Sequence, residues 1–296
     1  MTSKGEKFPP QTQDSQPGKQ YLMNPLPKSV NPQYKPSKKL HGKVALVTGG
    51  DSGIGRAVCY YFALEGATVA FTYVKGPEDR DADDALSLIK EAAKENDAGE
   101  PIAIPADLRR GEDECKKVVD KVVSHFERID VLVNNAGVCY YAESIEEITE
   151  EQLRMSFEIN FFASFFLAKH SVKHMKEGSS IINTSSVTAY AGGKTQVDYS
   201  SSKGALVSFT RSLGLQLIKR GIRVNGVAPG PIWTPIQVAS SAPVEQVVNL
   251  GSYAPMDRAG EPFEVAPSYV FLASNECSSY FTGQVLHPNG GEVING

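Results

Sequence analysis

The feature that most constrains this chain is an apolar run that ends in a glycine loop and resumes as a helix. Lys43-Val44-Ala45-Leu46-Val47-Thr48 suits a short strand buried on both faces of a parallel sheet. It leads into Gly49-Gly50-Asp51-Ser52-Gly53-Ile54-Gly55-Arg56, and the helical stretch Ala57–Glu65 follows. Strand, glycine turn and helix in that order raise a dinucleotide-site hypothesis. Gly49 permits a tight turn. Gly53 and Gly55 let backbone N–H groups and the helix N-terminus approach a pyrophosphate.

The same alternation continues to the end of the chain. Strands are expected at Thr68–Tyr73, Ile102–Pro105, Val131–Asn134, Ser180–Ser185, Ile222–Val227 and Gln284–His287. Helices are expected at Asp81–Ala98, Gly111–Phe126, Thr149–Lys176, Val197–Arg220 and Pro262–Ala273. This predicts an α/β, Rossmann-type doubly wound parallel sheet of about seven strands with helices on both faces. With 296 residues, 41% of them hydrophobic, the chain can bury one large core, and residues 40–296 read as a single domain.

Chemistry enters with Tyr199-Ser200-Ser201-Ser202-Lys203, on a predicted helix. Residues four apart share a helix face, so the Lys ammonium can lie beside the phenol. A free phenol titrates near 10 and is a poor base, whereas a nearby cation favours the phenolate. The strand Asp130–Asn134 ends in the small polar turn Asn135-Ala136-Gly137, where ligands bind in open α/β sheets. Asn160 is polar within a very apolar helix; it either caps a local kink or carries a function.

These elements together resemble the short-chain dehydrogenase/reductase family. Thr48-Gly49-x-x-x-Gly53-x-Gly55, Asn134-Asn135-Ala136-Gly137, Asn160, Ser186, Tyr199 and Lys203 occur in family order, with Ser186 thirteen residues before Tyr199. Pro229-Gly230-Pro231-Ile232-Trp233-Thr234 resembles the segment beside the nicotinamide. The glycine loop, Val69–Gly76 and Ser278–Gly291 are similar to one branch of the family. That branch holds the plant glucose and ribitol dehydrogenase homologues and the bacterial NADP-dependent aldehyde reductases, and the likeness runs over essentially the whole chain.

The resemblance implies a carbonyl/alcohol oxidoreductase. Tyr199 would exchange the proton, Ser186 would hold the carbonyl oxygen, Lys203 would keep the phenol pKa low and bind the ribose, and Asn160 would hold a water. It also implies cofactor contacts from Gly49, Asp51, Ser52, Gly53, Ile54 and Gly55, and from Tyr73 and Lys75 after the second strand. Asp107 and Leu108 would meet the adenine. Asn134, Ala136, Gly137, Pro229, Gly230, Ile232 and Thr234 would complete the set with Tyr199 and Lys203. NADP(H) is favoured, because the second strand ends Thr72-Tyr73-Val74-Lys75 without an acid until Glu78; NAD(H) is the alternative. Asp51 argues the other way unless its charge points away from a 2′-phosphate.

For the substrate, Cys139, Tyr140, Val187, Tyr190 and Trp233 are expected to build an apolar, aromatic wall around Ser186, under a mobile lid at 236–255. Such a wall suits a hydrophobic ketone or ring alcohol better than a hydroxyl-rich sugar, and reduction of an aldehyde or a hydrophobic or cyclic ketone is expected. The branch itself points to a sugar or polyol dehydrogenase. A reading from another class is a stress or storage-stage protein that binds a dinucleotide with vestigial catalysis.

The net charge of −4 gives no reason to invoke nucleic acid, and no apolar stretch is long enough to span a bilayer. Four cysteines, Cys59, Cys115, Cys139 and Cys277, lie far apart without metal-ligand spacing, so no metal site is expected and a cytoplasmic, reducing setting fits. Residues 1–39 are rich in Pro and Lys and should be extended. They form either a disordered tail or an arm on the body, with Tyr21, Leu22 and Met23 as its anchors. The helices around Phe157–Leu167 and Ala205–Leu217 are apolar on several faces, and in the family they form a subunit seam. A homotetramer or homodimer is expected.

Overall fold

The computed structural model describes residues 3–294. Seven strands form one parallel sheet in the order β3-β2-β1-β4-β5-β6-β7. They are β1 (Val44–Val47), β2 (Thr68–Tyr73), β3 (Ile102–Pro105), β4 (Val131–Asn134), β5 (Ser180–Thr184), β6 (Arg223–Val227) and β7 (Val285–Leu286). The order reverses between β1 and β4, which pair through Ala45 with Val131 and Val47 with Val133. A ligand crevice opens outside the carboxyl ends of the strands at such a switch point.

Alternation along the strands explains the two layers. Ala45, Val47, Val69 and Phe71 face α1 (Gly53–Leu64), α2 (Asp79–Glu95) and a later helix, Pro262–Ala273. Val44, Leu46, Ala70 and Leu132 face the other way, onto α3 (Glu112–Phe126) and the helices after β4. Successive strand residues point to opposite faces, so an unbroken apolar run is what a strand covered on both sides needs.

The long helix expected at Thr149–Lys176 is interrupted. It forms α4 (Glu150–Phe157), a π turn at Glu158–Phe162, α5 (Ala163–Ser171) and a final 3-10 turn. Asn160 lies in the π turn with its amide committed sideways to another element, and such bulges commonly sit at functional sites. After β5 come α6 (Thr188–Ala191) and α7 (Val197–Leu217), then α8 (Pro235–Val238), α9 (Val244–Val248), α10 (Pro262–Ala273) and α11 (Asn275–Ser278).

The Pro-rich segment lies along the body. Phe8 and Met23 are buried with Trp233, Val238, Val247 and Leu250 in a separate apolar cluster. Tyr34 donates to Glu65, and Arg80 stacks over the Tyr21 ring at 4.6 Å. Leu22 is not an anchor, being 57% exposed, whereas Phe8 takes that role. Val238, Val247 and Leu250 belong to the expected lid, so lid and arm share one small core. No helix among the described residues is long and apolar enough to cross a membrane.

Candidate active site

A cleft of about 780 Å³ runs along the carboxyl ends of β1, β2, β4 and β5. Its floor is the turn after β1. Gly49 adopts φ +61°, a conformation costly for other residues. Gly55 does not face the cleft. A Cβ there would fall 1.9 Å from the Gly49 carbonyl oxygen, so Gly55 lets α1 pack beneath the loop. Thr48 and Asn135 tie the ends of β1 and β4 together. Thr48 Oγ1 accepts from the N–H groups of Asn135 and Ala136, and Asn135 Nδ2 donates to the carbonyls of Thr48 and Gly49.

Asn134 is also absent from the cleft wall. It is the last residue of β4, and its side chain is buried behind the strand, donating to Asn183 Oδ1 at 2.8 Å. The other expected cofactor residues, Asp51, Lys75, Thr234 and Lys203 among them, share the one cleft. Asp107 accepts from Arg109 Nε at 2.8 Å and Nη2 at 2.7 Å. This pairing holds its carboxyl below the usual carboxylate range.

Tyr199, Ser186 and Lys203 line the same cleft. Burial pushes the Tyr199 phenol well above its ordinary pKa, the nearby Cys139 thiol adds to that, and a hydrogen bond with Ser186 opposes it. Thr188 donates to Ser186 Oγ through both its N–H (3.2 Å) and its hydroxyl (3.0 Å). Both lone pairs of the Ser186 hydroxyl are thereby engaged, leaving its proton to point into the cleft. Lys203 Nζ lies 5.6 Å from the Tyr199 ring centroid and donates to the Thr184 carbonyl at 2.8 Å. Burial lowers its pKa to about 8. Lys203 is expected to depress the phenol pKa; in this arrangement burial raises it instead.

Asn160 bridges two elements. Its Oδ1 accepts from Val138 N–H at 2.8 Å, while Nδ2 donates to Val138 O and Ser202 Oγ. The side chain fixes the segment after β4 against α7, using both of its N–H donors and one of its two carbonyl lone pairs.

The part of the cleft at the end of β2 carries more acid than the linear order suggests. Glu78 returns to the end of β2, where its carboxylate oxygen accepts from Val74 N–H at 2.5 Å. Asp51 is 1% exposed, and its Oδ2 has no partner among the described residues. Arg56 pairs with Asp81 instead. Burial raises Asp51 to about 6. Burial and the charge of Asp51 raise Glu78 to about 9. Glu78, held protonated at neutral pH, tolerates an anion that its charged form would repel, whereas Asp51 is mostly ionised there and must take up a proton beside one.

The residues expected in the substrate wall divide between the cleft and the interior. Cys139, Tyr140 and Val187 line the cleft. Trp233 does not: it is fully buried, stacked on Phe8, with Nε1 donating to the Pro25 carbonyl at 2.8 Å. Tyr190 turns away too, its ring edge-on to His287 at 4.8 Å. In their place stand Gln196, Gln237 and, from the arm, Gln16. The run Gln11, Gln13, Gln16, Gln20 was the only local signal for the arm's part, and such a spacing has no meaning until the arm is seated.

A family model described as enoyl-(acyl carrier protein) reductase matches residues 49–292. The chain is 61% identical over 292 residues to a glucose and ribitol dehydrogenase of Daucus carota, covering 99% of each. It is 62% identical over 285 residues to the chloroplastic NADPH-dependent aldehyde reductase 1 of Arabidopsis thaliana, covering 96% of this chain and 98% of that one. Among solved structures it is similar to a short-chain dehydrogenase from Burkholderia cenocepacia J2315 in complex with NADP. There the TM-score is 0.77 at 31% identity, over 86% of this chain and 98% of the other.

Proposed function

The chain belongs to the short-chain dehydrogenase/reductase family, and from that premise we propose that it interconverts an aldehyde or ketone and an alcohol with NADP(H). One observation carries the reading. The Ser186 hydroxyl, aimed by Thr188, shares with Tyr199 and Lys203 one cleft that is continuous with the glycine loop.

The cleft suits the cofactor. Its volume is that of a large ligand site. Exposed Lys75 and Arg110 flank the ribose end, where a 2′-phosphate needs cations, and Asp51 and Glu78 take up protons there. The N–H groups of Ser52 and Ile54 would hold the pyrophosphate, with Gly53 allowing its close approach, and Lys203 the nicotinamide ribose. When bound, the nicotinamide supplies or accepts the hydride.

The protein's own residues manage the proton. Burial keeps the Tyr199 phenol protonated, as a donor to the carbonyl oxygen must be. Ser186 directs its O–H at the same oxygen and stabilises the charge that develops there. The buried Lys203 ammonium then steadies the phenolate left behind, and Asn160 keeps the facing wall in register. Oxidation reverses each step.

Aldehyde reduction is the favoured direction, consistent with the reductase among the relatives. The exposed aromatic face of Phe162 and Phe165, with Leu215 on α7, supports a homodimer or homotetramer. The cysteines are free thiols, three of them buried, which suits a reducing compartment such as the cytoplasm. Following NADPH consumption with aldehydes and cyclic ketones, and NADP+ reduction with glucose and ribitol, tests this. Faster aldehyde reduction supports it. NADPH binding without turnover of any carbonyl or alcohol would instead favour a dinucleotide-binding protein without catalysis.

A further inference from the structure

The arm forms part of the cleft wall through Gln16, Pro17 and Gly18. The Gln16 carboxamide grips the backbone of Cys139 from both ends: Nε2 donates to the Cys139 carbonyl, and Oε1 accepts from its N–H at 3.2 Å. Cys139, Tyr199 and Ser186 line the same cleft as Gln16, so this grip lies on the wall that holds the reacting groups. Two residues on, Gly18 is pressed onto the start of α8, where a Cβ would fall 2.4 Å from the Pro235 carbonyl oxygen. Gln20 Oε1 then accepts the Gly53 N–H at 2.8 Å, at the first residue of α1. Five residues thus cross from the Cys139 segment to the glycine loop, pinned at both ends and in the middle.

A carboxamide has two N–H donors and two carbonyl lone pairs. The Cys139 contacts use one of each, leaving one of each for the cleft. Gln196 and Gln237 line the same cleft, so its wall is richer in amides than the sequence suggests. Resting on the carbonyl-oxidoreductase reading above, we propose that Gln16 is a specificity residue supplied by the arm. Its remaining N–H and lone pair hold a hydroxyl beside the reacting carbonyl, which makes hydroxylated carbonyl compounds the preferred substrates. A site that hydrogen-bonds a hydroxyl disfavours the analogue lacking it, because its own polar groups are then left unpaired.

The experiment compares NADPH-dependent reduction of glyceraldehyde and propanal by the full chain, with Trp233 as an internal reporter. Trp233 is the single tryptophan and lies between Phe8 and Pro25 of the arm, so its emission reddens if the arm lifts. Wild type favours glyceraldehyde in kcat/KM. In Gln16→Leu the glyceraldehyde-to-propanal ratio falls about tenfold, chiefly through KM, with Trp233 emission unchanged. In Gly18→Ala, where the added Cβ cannot fit against Pro235, the same fall comes with a red shift. A parallel loss on both aldehydes in Gln16→Leu, an unchanged ratio, or a red shift in that variant overturns the inference alone. A wild type that binds NADPH yet reduces neither aldehyde overturns the functional reading and the inference with it.

Discussion

The ring of Phe8 lies flat on the indole of Trp233, with centroids 3.8 Å apart and planes 9° apart. This contact joins the start of the arm to the segment that follows β6. Phe8 is 4% exposed, and truncating a buried phenylalanine costs about 3–5 kcal/mol. Phe8→Ala should therefore release the arm, seen as a red-shifted Trp233 emission and faster tryptic cleavage at Lys19 and Lys28. Unchanged emission and cleavage would mean that Trp233 is held by other contacts.

Thr188 offers a second test, because both its N–H and its hydroxyl donate to Ser186. Thr188→Val removes the 3.0 Å hydroxyl donor and leaves the N–H contact. We expect kcat to fall about tenfold with little change in the Kd for NADPH, since a neutral hydrogen bond contributes roughly 0.5–1.5 kcal/mol. Thr188→Ser should recover most of the loss. Equal losses in both variants would point to packing instead of hydroxyl direction.

Much of this was legible in the residues because it is local. β2, β3, β4 and α10 occupy the stretches expected of them, since each is an apolar run or amphipathic stretch bounded by clear turn residues. The glycine turn and the Tyr199–Lys203 spacing are local geometry too. Trp233 and Tyr190 were misplaced because an apolar side chain beside a site reads alike whether it faces ligand or core. Their direction depends on Phe8 and His287, some 225 and 97 residues away in the chain. Glu78 was missed as a ribose neighbour for a similar reason: the turn after β2 carries it back to the strand end. The π turn at Asn160 follows from hydrogen bonds to Val138 and Ser202, which no helical periodicity reveals.

The carboxyls at the ribose end set a pH dependence for cofactor binding. Burial places Asp51 near 6 and Glu78 near 9. A 2′-phosphate beside them raises their proton affinity further, so binding takes up protons and weakens as pH rises. Between pH 7 and 9 the phosphate is already dianionic, having its second pKa near 6, and adds no slope of its own. NADPH affinity should fall across that window by up to about tenfold per pH unit, while NADH affinity stays nearly flat. Asp51→Asn keeps that side chain neutral and should remove most of the slope, because Glu78, near 9, stays protonated over most of the window with or without the phosphate. Parallel profiles for NADPH and NADH in calorimetric titration would show that neither carboxyl senses the phosphate.

The most direct test of the account is Tyr199→Phe, assayed for NADPH-dependent aldehyde reduction and for NADPH binding on the same preparation. The substitution removes one hydroxyl from a buried ring and takes with it the only proton donor assigned to the carbonyl oxygen. The account predicts a fall in kcat of about 10²–10⁴-fold with the NADPH Kd within about twofold of wild type. A variant that keeps more than about half of the wild-type kcat while binding NADPH normally would contradict it.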